Sequence, residues 1–212
     1  MNHKNNYRSI IVLFFFFLAS CQSKMDLIDI IKMSKCEAPC WLEMTPGKTT
    51  IEDARRQLSI NEEIISQNSV FDYAPTTLFP VAIGWKGIDE NLDGTLYFRD
   101  GFLHAININE KNGNGRLVEF IEVYGEPDKI VCQLQGGDSI HIRVFLFYSK
   151  KGVIISFKQN NLNRIEIQNN EPIDKVVFFN SNEINFPDTI FDSDKIFELP
   201  WTGFTTIEIT DW

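Results

Sequence analysis

Apolar and polar positions change period several times along this chain. Ile10 to Ala19 is an unbroken apolar run that includes Phe14, Phe15, Phe16 and Phe17. Met25 to Met33 carries Leu27, Ile28 and Ile31, the pattern of a short helix. Thr49 with Glu52 and Thr50 with Asp53 each have capping-box spacing, and Ile51, Ala54 and Leu58 follow on one helical face. A second helix of the same size is predicted where Leu117, Phe120, Ile121 and Tyr124 share a face. Gly125 is placed to end it, and Pro127 prevents its continuation.

Strand patterns follow each helix. In the first half they are Val81 to Ile88, Thr95 to Phe98 and His104 to Ile108, with an Asp100-Gly101 hairpin turn. In the second half Ile140, Ile142, Val144 and Leu146 alternate with His141 and Arg143. Val153, Ile155 and Phe157 then share a face, and Asn160-Asn161 turns the chain into Leu162 to Ile167. A shift of 66 residues superposes Ile51, Ala54 and Leu58 on Leu117, Phe120 and Tyr124. A shift of 59 superposes Phe98, Leu103, Ile106 and Ile108 on Phe157, Leu162, Ile165 and Ile167. The expected fold class is therefore α+β: two helix-plus-antiparallel-meander repeats, 46–111 and 112–168, forming one sheet with helices on one face. Residues 169–212 form an aromatic closing segment. It holds a strand at Val176 to Phe179 and a last one at Thr205 to Ile209, with Phe186, Phe191, Phe197, Trp201, Phe204 and Trp212 among acidic residues.

Lys4 and Arg8 precede the first apolar run, and no acidic residue comes before Asp26. Ten apolar residues span about 15 Å as a helix, half of a bilayer core, so the run fits a signal peptide better than a membrane span. It ends Leu18-Ala19-Ser20-Cys21, which resembles the lipobox of bacterial lipoproteins. The resemblance implies removal of residues 1–20, lipid on Cys21, and residues 21–45 as an anchor and cysteine-containing linker. It also implies a place in the cell envelope; where there are two membranes, Gln22 rather than Asp after the cysteine points to the outer one. The net charge of -9 disfavours nucleic acid as a partner, and an acidic body repels anionic lipid, which leaves the acyl anchor to hold the membrane.

Cys36, Cys40 and Cys132 remain, in an oxidising setting. Three residues separate the first two, one more than in a thioredoxin-like motif. Proximity favours a Cys36–Cys40 bridge with Cys132 as a buried thiol; the rival pairing joins Cys132 to one of them and staples the two halves.

Pro46-Gly47-Lys48-Thr49 before one helix and Tyr124-Gly125-Glu126-Pro127 after the other resemble the Gly-x-Thr and Gly-x-Pro of BamE-type (SmpA/OmlA) lipoproteins. Beta-lactamase-inhibitor-like proteins carry a tandem of related α/β units with a concave sheet. The Cys-Glu-Ala-Pro-Cys-Trp opening is similar to uncharacterised bacterial lipoproteins. These motifs are structural caps, and the resemblance implies a fold and no catalytic residue.

Candidate chemistry is sparse. Asp89, Asn91, Asp93 and Gly94, with Asp100 at the twelfth position, have the spacing of a calcium loop. Strand-like flanks and the short Asp100 argue for a plain hairpin turn at Asn-Leu-Asp-Gly, so no metal or other cofactor is expected. His104 and His141 read as solvent-face strand residues. No hydrolase or phosphate-loop motif occurs. The expectation is a non-enzymatic, lipid-anchored scaffold or protein-binding component with an envelope protein as partner. Exposed Tyr148, Trp201 and Phe204 are its candidate anchors. The alternative is an envelope hydrolase using a carboxylate pair. Replacing Cys21 with Ser removes the acyl site and blocks cleavage, so intact-mass measurement should find the variant still carrying residues 1–20. Equal mature masses for the two proteins would refute the lipobox reading.

Overall fold

A computed structural model describes residues 26–76, 78–136, 140–182 and 196–208. Residues 1–20, read above as a signal peptide, and Cys21, Phe186, Phe191, Ile209 and Trp212 lie outside the described residues. Among the described residues there are three α-helices: α1 (Leu27–Met33), α2 (Ile51–Ile60) and α3 (Leu117–Tyr124). Thr50 caps α2, its hydroxyl accepting from the Asp53 amide at 3.2 Å and donating to the Asp53 carboxylate at 3.0 Å. Thr49 does a different job, accepting from the Thr45 amide at 2.8 Å to close the turn ahead of the cap. Gly125, at φ 75°, ends α3 with its amide on the Ile121 carbonyl.

Strands β1 (Phe71–Tyr73), β2 (Val81–Lys86), β3 (Leu92–Arg99) and β4 (Phe102–Glu110) follow α2. Strands β6 (Lys129–Gln135), β7 (His141–Tyr148), β8 (Val153–Gln159) and β9 (Arg164–Ile167) follow α3, which β5 (Gly115–Arg116) precedes. The chain then adds β10 (Pro172–Ile173), β11 (Lys175–Phe179), β12 (Ile196–Pro200) and β13 (Thr205–Glu208). Nine of these strands form one antiparallel sheet in the order β1-β2-β3-β4-β11-β8-β7-β6-β12. Two small sheets, β5 with β10 and β9 with β13, stand beside it.

The α+β class is therefore correct, with the strands dominating, but the second meander differs from expectation. Leu162 to Ile167 was read as its third strand; β9 instead leaves the large sheet and pairs with β13. The seat beside β8 belongs to β11, which pairs with β8 on one side and β4 on the other. Lys129–Gln135 supplies the third strand of the second meander in its place.

Two apolar layers lie on the sheet. In the first, Ala54 and Leu58 of α2, Phe120 of α3 and the four isoleucine and leucine residues of α1 pack against Ile83, Trp85, Ile155, Phe157 and Phe178. Residues read as a linker belong to this core, because Leu27, Ile30, Trp41 and Met44 are fully buried. The Glu110 carboxylate holds that segment in place. It accepts from the Asn114 amide at 3.1 Å and also takes the Gly115 and Leu27 amides; burial raises its pKa despite these bonds. The second layer contains strand residues alone: Ala105, Val131, Phe145, Phe147, Ile154, Val177 and Phe179.

Cys36 and Cys40 are bonded, with Cα atoms 5.6 Å apart. Cys132 is a buried thiol whose pKa burial pushes up to about 12, which makes it inert in the fold. The Trp41 ring stacks on Trp85 at 5.3 Å, and Trp85 in turn lies over Gly94 on β3. A Cβ at Gly94 would sit 2.4 Å from the Trp85 ring, so the position needs hydrogen for reasons of space. Gly94→Ala should displace Trp85 and destabilise the protein by about 2–3 kcal/mol in urea unfolding. An unchanged midpoint would show that the tryptophan pair tolerates the shift.

Candidate functional site

The face of the sheet that carries the second apolar layer also carries a cavity of about 350 Å³. Strand register explains its make-up. Across β3, β4, β11, β8 and β7, one row reads Asp93, Asn109, Lys175, Ser156 and Phe145; the next reads Thr95, Asn107, Val177, Ile154 and Phe147. Polar side chains therefore gather toward β3 and β4 and apolar ones toward β7, which gives the cavity an apolar wall and a polar floor. Phe79, from the loop ahead of β2, closes one side, its ring 4.9 Å from Tyr97 and 5.1 Å from His104.

A β-bulge sets this corner. Tyr97 pairs with Ala105 and Phe98 with Leu103, so His104 is an extra residue in β4. The bulge switches the side-chain parity, which is why Leu103 and Ile106 face the same core while Ala105 faces the cavity. It also buries His104 to 4% exposure against Phe79, correcting the reading of His104 as a solvent-face residue.

Arg143, 8% exposed, spans the polar floor. It donates to the Asp174 carboxylate at 2.7 Å, the Ser156 hydroxyl at 3.0 Å and the Gln135 side-chain oxygen at 3.3 Å. Lys175 lines the same cavity, and no carboxylate of the described residues lies within ion-pair distance of its Nζ. Burial, then the neighbouring Arg143 guanidinium, lowers its pKa. Asn107 is 8% exposed, lines the cavity, and its Oδ1 is buried without a hydrogen-bond partner among the described residues. Tyr97 keeps its phenol proton, since burial raises its pKa against a bond from Thr95. Asp, Glu and His are absent from the described residues that line this space.

A second cavity, about 480 Å³, lies beside the Cys36–Cys40 bridge. Two of its polar groups are engaged: Lys151 donates to the Tyr124 carbonyl at 2.7 Å, and Ser34 is taken by Cys36 and the Leu42 amide; Lys32 and Glu37 also line it.

No family model, curated protein or solved structure matches this chain. The site is thus read from its own geometry.

Several residues singled out from sequence fall elsewhere. Tyr148 is 2% exposed and packs on Tyr124 at 5.6 Å, so it is a core residue and no anchor. Its pKa is raised by burial. Trp201 is half-buried against the first core and meets the exposed Phe204 ring edge-on at 6.1 Å, away from the cavity. The spacing of a calcium loop does not become one. Strand β3 runs between Asn91 and Asp100, and eight residues of strand extend about 26 Å, which separates Asp89 from Asp100. Asp89 caps its own turn through Asn91 at 2.9 Å, while Asp93 accepts from Asn109 at 2.8 Å. The turn itself is Gly87 to Asn91, with Leu92-Asp93-Gly94 already inside the strand. His141 opens β7, paired with Gln135.

Lys175, Asn107 and Phe79 had no part in the sequence reading, and Arg143 entered it only as the polar half of an alternation. The available signal was a charged or amide residue at a second-face position in strands otherwise apolar on both sides, as in Arg143 ahead of Val144 to Tyr148. Two substitutions separate structure from function here. Arg143→Met leaves Asp174 without its partner and should lower stability by about 2–3 kcal/mol, discounted for the part-exposed carboxylate. Lys175→Met removes a desolvated charge and should hold or raise the melting temperature. A depressed lysine pKa penalises the fold while the unfolded chain is protonated, so the gain should be full near pH 7 and vanish above the unfolded lysine pKa. A clear drop on Lys175→Met at pH 7 would contradict this account.

Proposed function

We propose that this chain is a lipid-anchored cell-envelope protein that acts by binding an envelope partner through the second face of its sheet and performs no chemical step. The observation that carries the reading is the make-up of the cavity: an ammonium without a carboxylate at ion-pair distance, a carboxamide oxygen without a partner and aromatic walls, with no Asp, Glu or His among the described lining residues. Recognition needs such groups, whereas acid–base catalysis needs a titrating pair. The hydrolase alternative is less favoured, since Asp174 is held by Arg143 and Asp93 by Asn109.

Lipid on Cys21 would hold the body of the protein close to the bilayer. The six steps from Cys21 to Leu27 reach at most about 21 Å, and α1 is docked in the core from its first residue. The two halves are also proposed to descend from one repeated unit with its helices over the first core. A shift of 59 residues carries β1 to β6, β2 to β7, β3 to β8 and β4 to β9 in order, and buried residues of all three helices share one cluster. The BamE-like caps fit this reading, with Gly47 and Gly125 both at positive φ.

A photo-crosslinking residue in place of Phe79, in the membrane-anchored protein, should trap one envelope component. The trapped band should weaken in a Lys175→Gln background and persist when the probe protein also carries Phe204→Ala. Crosslinking that ignores Lys175, or turnover of an envelope substrate, would sink the proposal.

A further inference from the structure

We infer that the Cys36–Cys40 bridge is a thiol-exchange site: a low-molecular-weight thiol enters the cavity beside it and joins Cys40, and the bond opens with Cys36 leaving as the thiolate. The inference goes beyond the binding function above and does not rest on it, since this cavity shares no lining residue with the one on the second face. The exchange changes the state of this chain once and processes no partner.

Access comes first. Both cysteines are half-buried rather than enclosed, and both line the cavity of about 480 Å³. That volume lies within the range of small-molecule pockets, roughly 300 to 1,000 Å³. Ile31, Ala38 and Val123 give it apolar walls, and Lys32 and Lys151 outnumber the one carboxylate, that of Glu37. The thiolate is the attacking form of a thiol, and an excess of positive charge favours both its approach and the thiolate that leaves.

Hydrogen bonding sets the direction. Cys36 in the bridge carries no hydrogen, so its 3.2 Å contact with Ser34 is a bond donated by the Ser34 hydroxyl to the Cys36 sulfur. The Ser34 oxygen meanwhile accepts from the Leu42 amide at 3.1 Å, which leaves the hydroxyl proton for the sulfur. A donor already aimed at an atom stabilises it more once that atom carries charge. No hydrogen bond reaches the Cys40 sulfur among the described residues. In an exchange the sulfur that better bears negative charge leaves faster, so Cys36 leaves and Cys40 is attacked.

The loop keeps its place when the bond opens. A bridge across four positions removes little entropy from the unfolded chain, so the fold leans on it little. Other contacts dock the segment. Trp41 and Met44 exchange backbone hydrogen bonds at 2.9 Å, the Cys40 amide donates to the Glu37 carbonyl at 3.0 Å, and the Trp41 ring stacks on Trp85. Pro39 packs so closely on Gly152 that a Cβ there would lie 2.9 Å from the proline Cβ.

The step balances as follows. The sulfur of the small thiolate bonds to Cys40 Sγ, the Cys36–Cys40 bond breaks, and its electron pair stays on Cys36 Sγ. A second thiolate attacks the small-thiol sulfur of the adduct and releases Cys40. Two thiols are oxidised to one disulfide, the cysteine pair is reduced, and the two protons pass through solvent to Cys36 and Cys40.

The test exposes the mature full-length protein to reduced glutathione or free cysteine near neutral pH, quenches with acid and counts opened bonds by mass. Cys132 stays silent while the chain is folded. The bond should open at least tenfold faster in the folded protein than in the same chain unfolded in urea, which keeps the loop and loses the cavity and the serine. With one equivalent of thiol, peptide mapping should find the adduct on Cys40. Ser34→Ala should slow opening at least fivefold, and Ser34→Thr, which keeps a hydroxyl, should restore most of the rate. The reduced protein should keep the near-ultraviolet dichroism of the Trp41–Trp85 pair. Opening no faster folded than unfolded, an adduct on Cys36, a wild-type rate in Ser34→Ala, or reduction only by a protein dithiol would overturn the inference.

Discussion

The structure turns on the seating of β11 between β4 and β8. Lys175–Phe179 makes backbone hydrogen bonds in both directions, converting two separate meanders into one nine-stranded sheet. Its side chains serve both layers: Val176 and Phe178 enter the core beneath the helices, and Val177 and Phe179 enter the opposite layer. A strand with apolar residues at every position after the first can be satisfied only where both of its faces are covered, which is a central seat. Everything else adjusts to that choice. Strand β9 is displaced from the sheet edge and finds β13, and β12 takes the open edge of β6.

The same strand builds the site. Lys175 is its first residue and faces the second layer with Val177, so a charge enters a setting made for apolar groups. Burial depresses its pKa, and no carboxylate among the described residues lies within ion-pair distance of it. Arg143 shows the opposite arrangement, with three acceptors around one guanidinium. One cation is satisfied within the fold; the other has no carboxylate at ion-pair distance among the described residues. Asn107 adds a second unsatisfied group on the neighbouring strand. Groups that weaken a fold are retained where binding repays the desolvation, and here two of them line one cavity.

Much of the local structure was legible before any coordinates. Thr50 with Asp53 marked the start of α2, and Gly125 with Pro127 the end of α3, because caps depend on side chains three or four residues away. The Asp100-Gly101 turn between β3 and β4 was equally local, with both residues at positive φ. The pairing of Cys36 with Cys40 followed from proximity. Misreadings arose where burial was not recorded locally. Tyr148 is in phase with the apolar Val144 and Leu146, and His104 with Ile106, and both are buried rather than exposed. Tyr148 lies under α3, and a bulge shifts His104 by one place against Phe79. The acidic run Asp89 to Asp100 has the intervals of an ion loop, but an extended strand spreads its oxygens along a line.

By itself, the sequence determined the element types, the helix boundaries, the tight turns and the α+β class, since each depends on interactions within a few residues. It also carries the apolar run and the cysteine on which the proposed envelope location rests. Only the tertiary structure decided which strands are neighbours, which face each polar residue meets, and that Asn107, Arg143 and Lys175 share one cavity. The physical reason is that these residues come from three strands spread over nearly seventy positions. They meet only because β11, late in the chain, inserts between two earlier meanders. Pairing of that kind is set by competition among strands for the covered central seat, and no local pattern records its outcome.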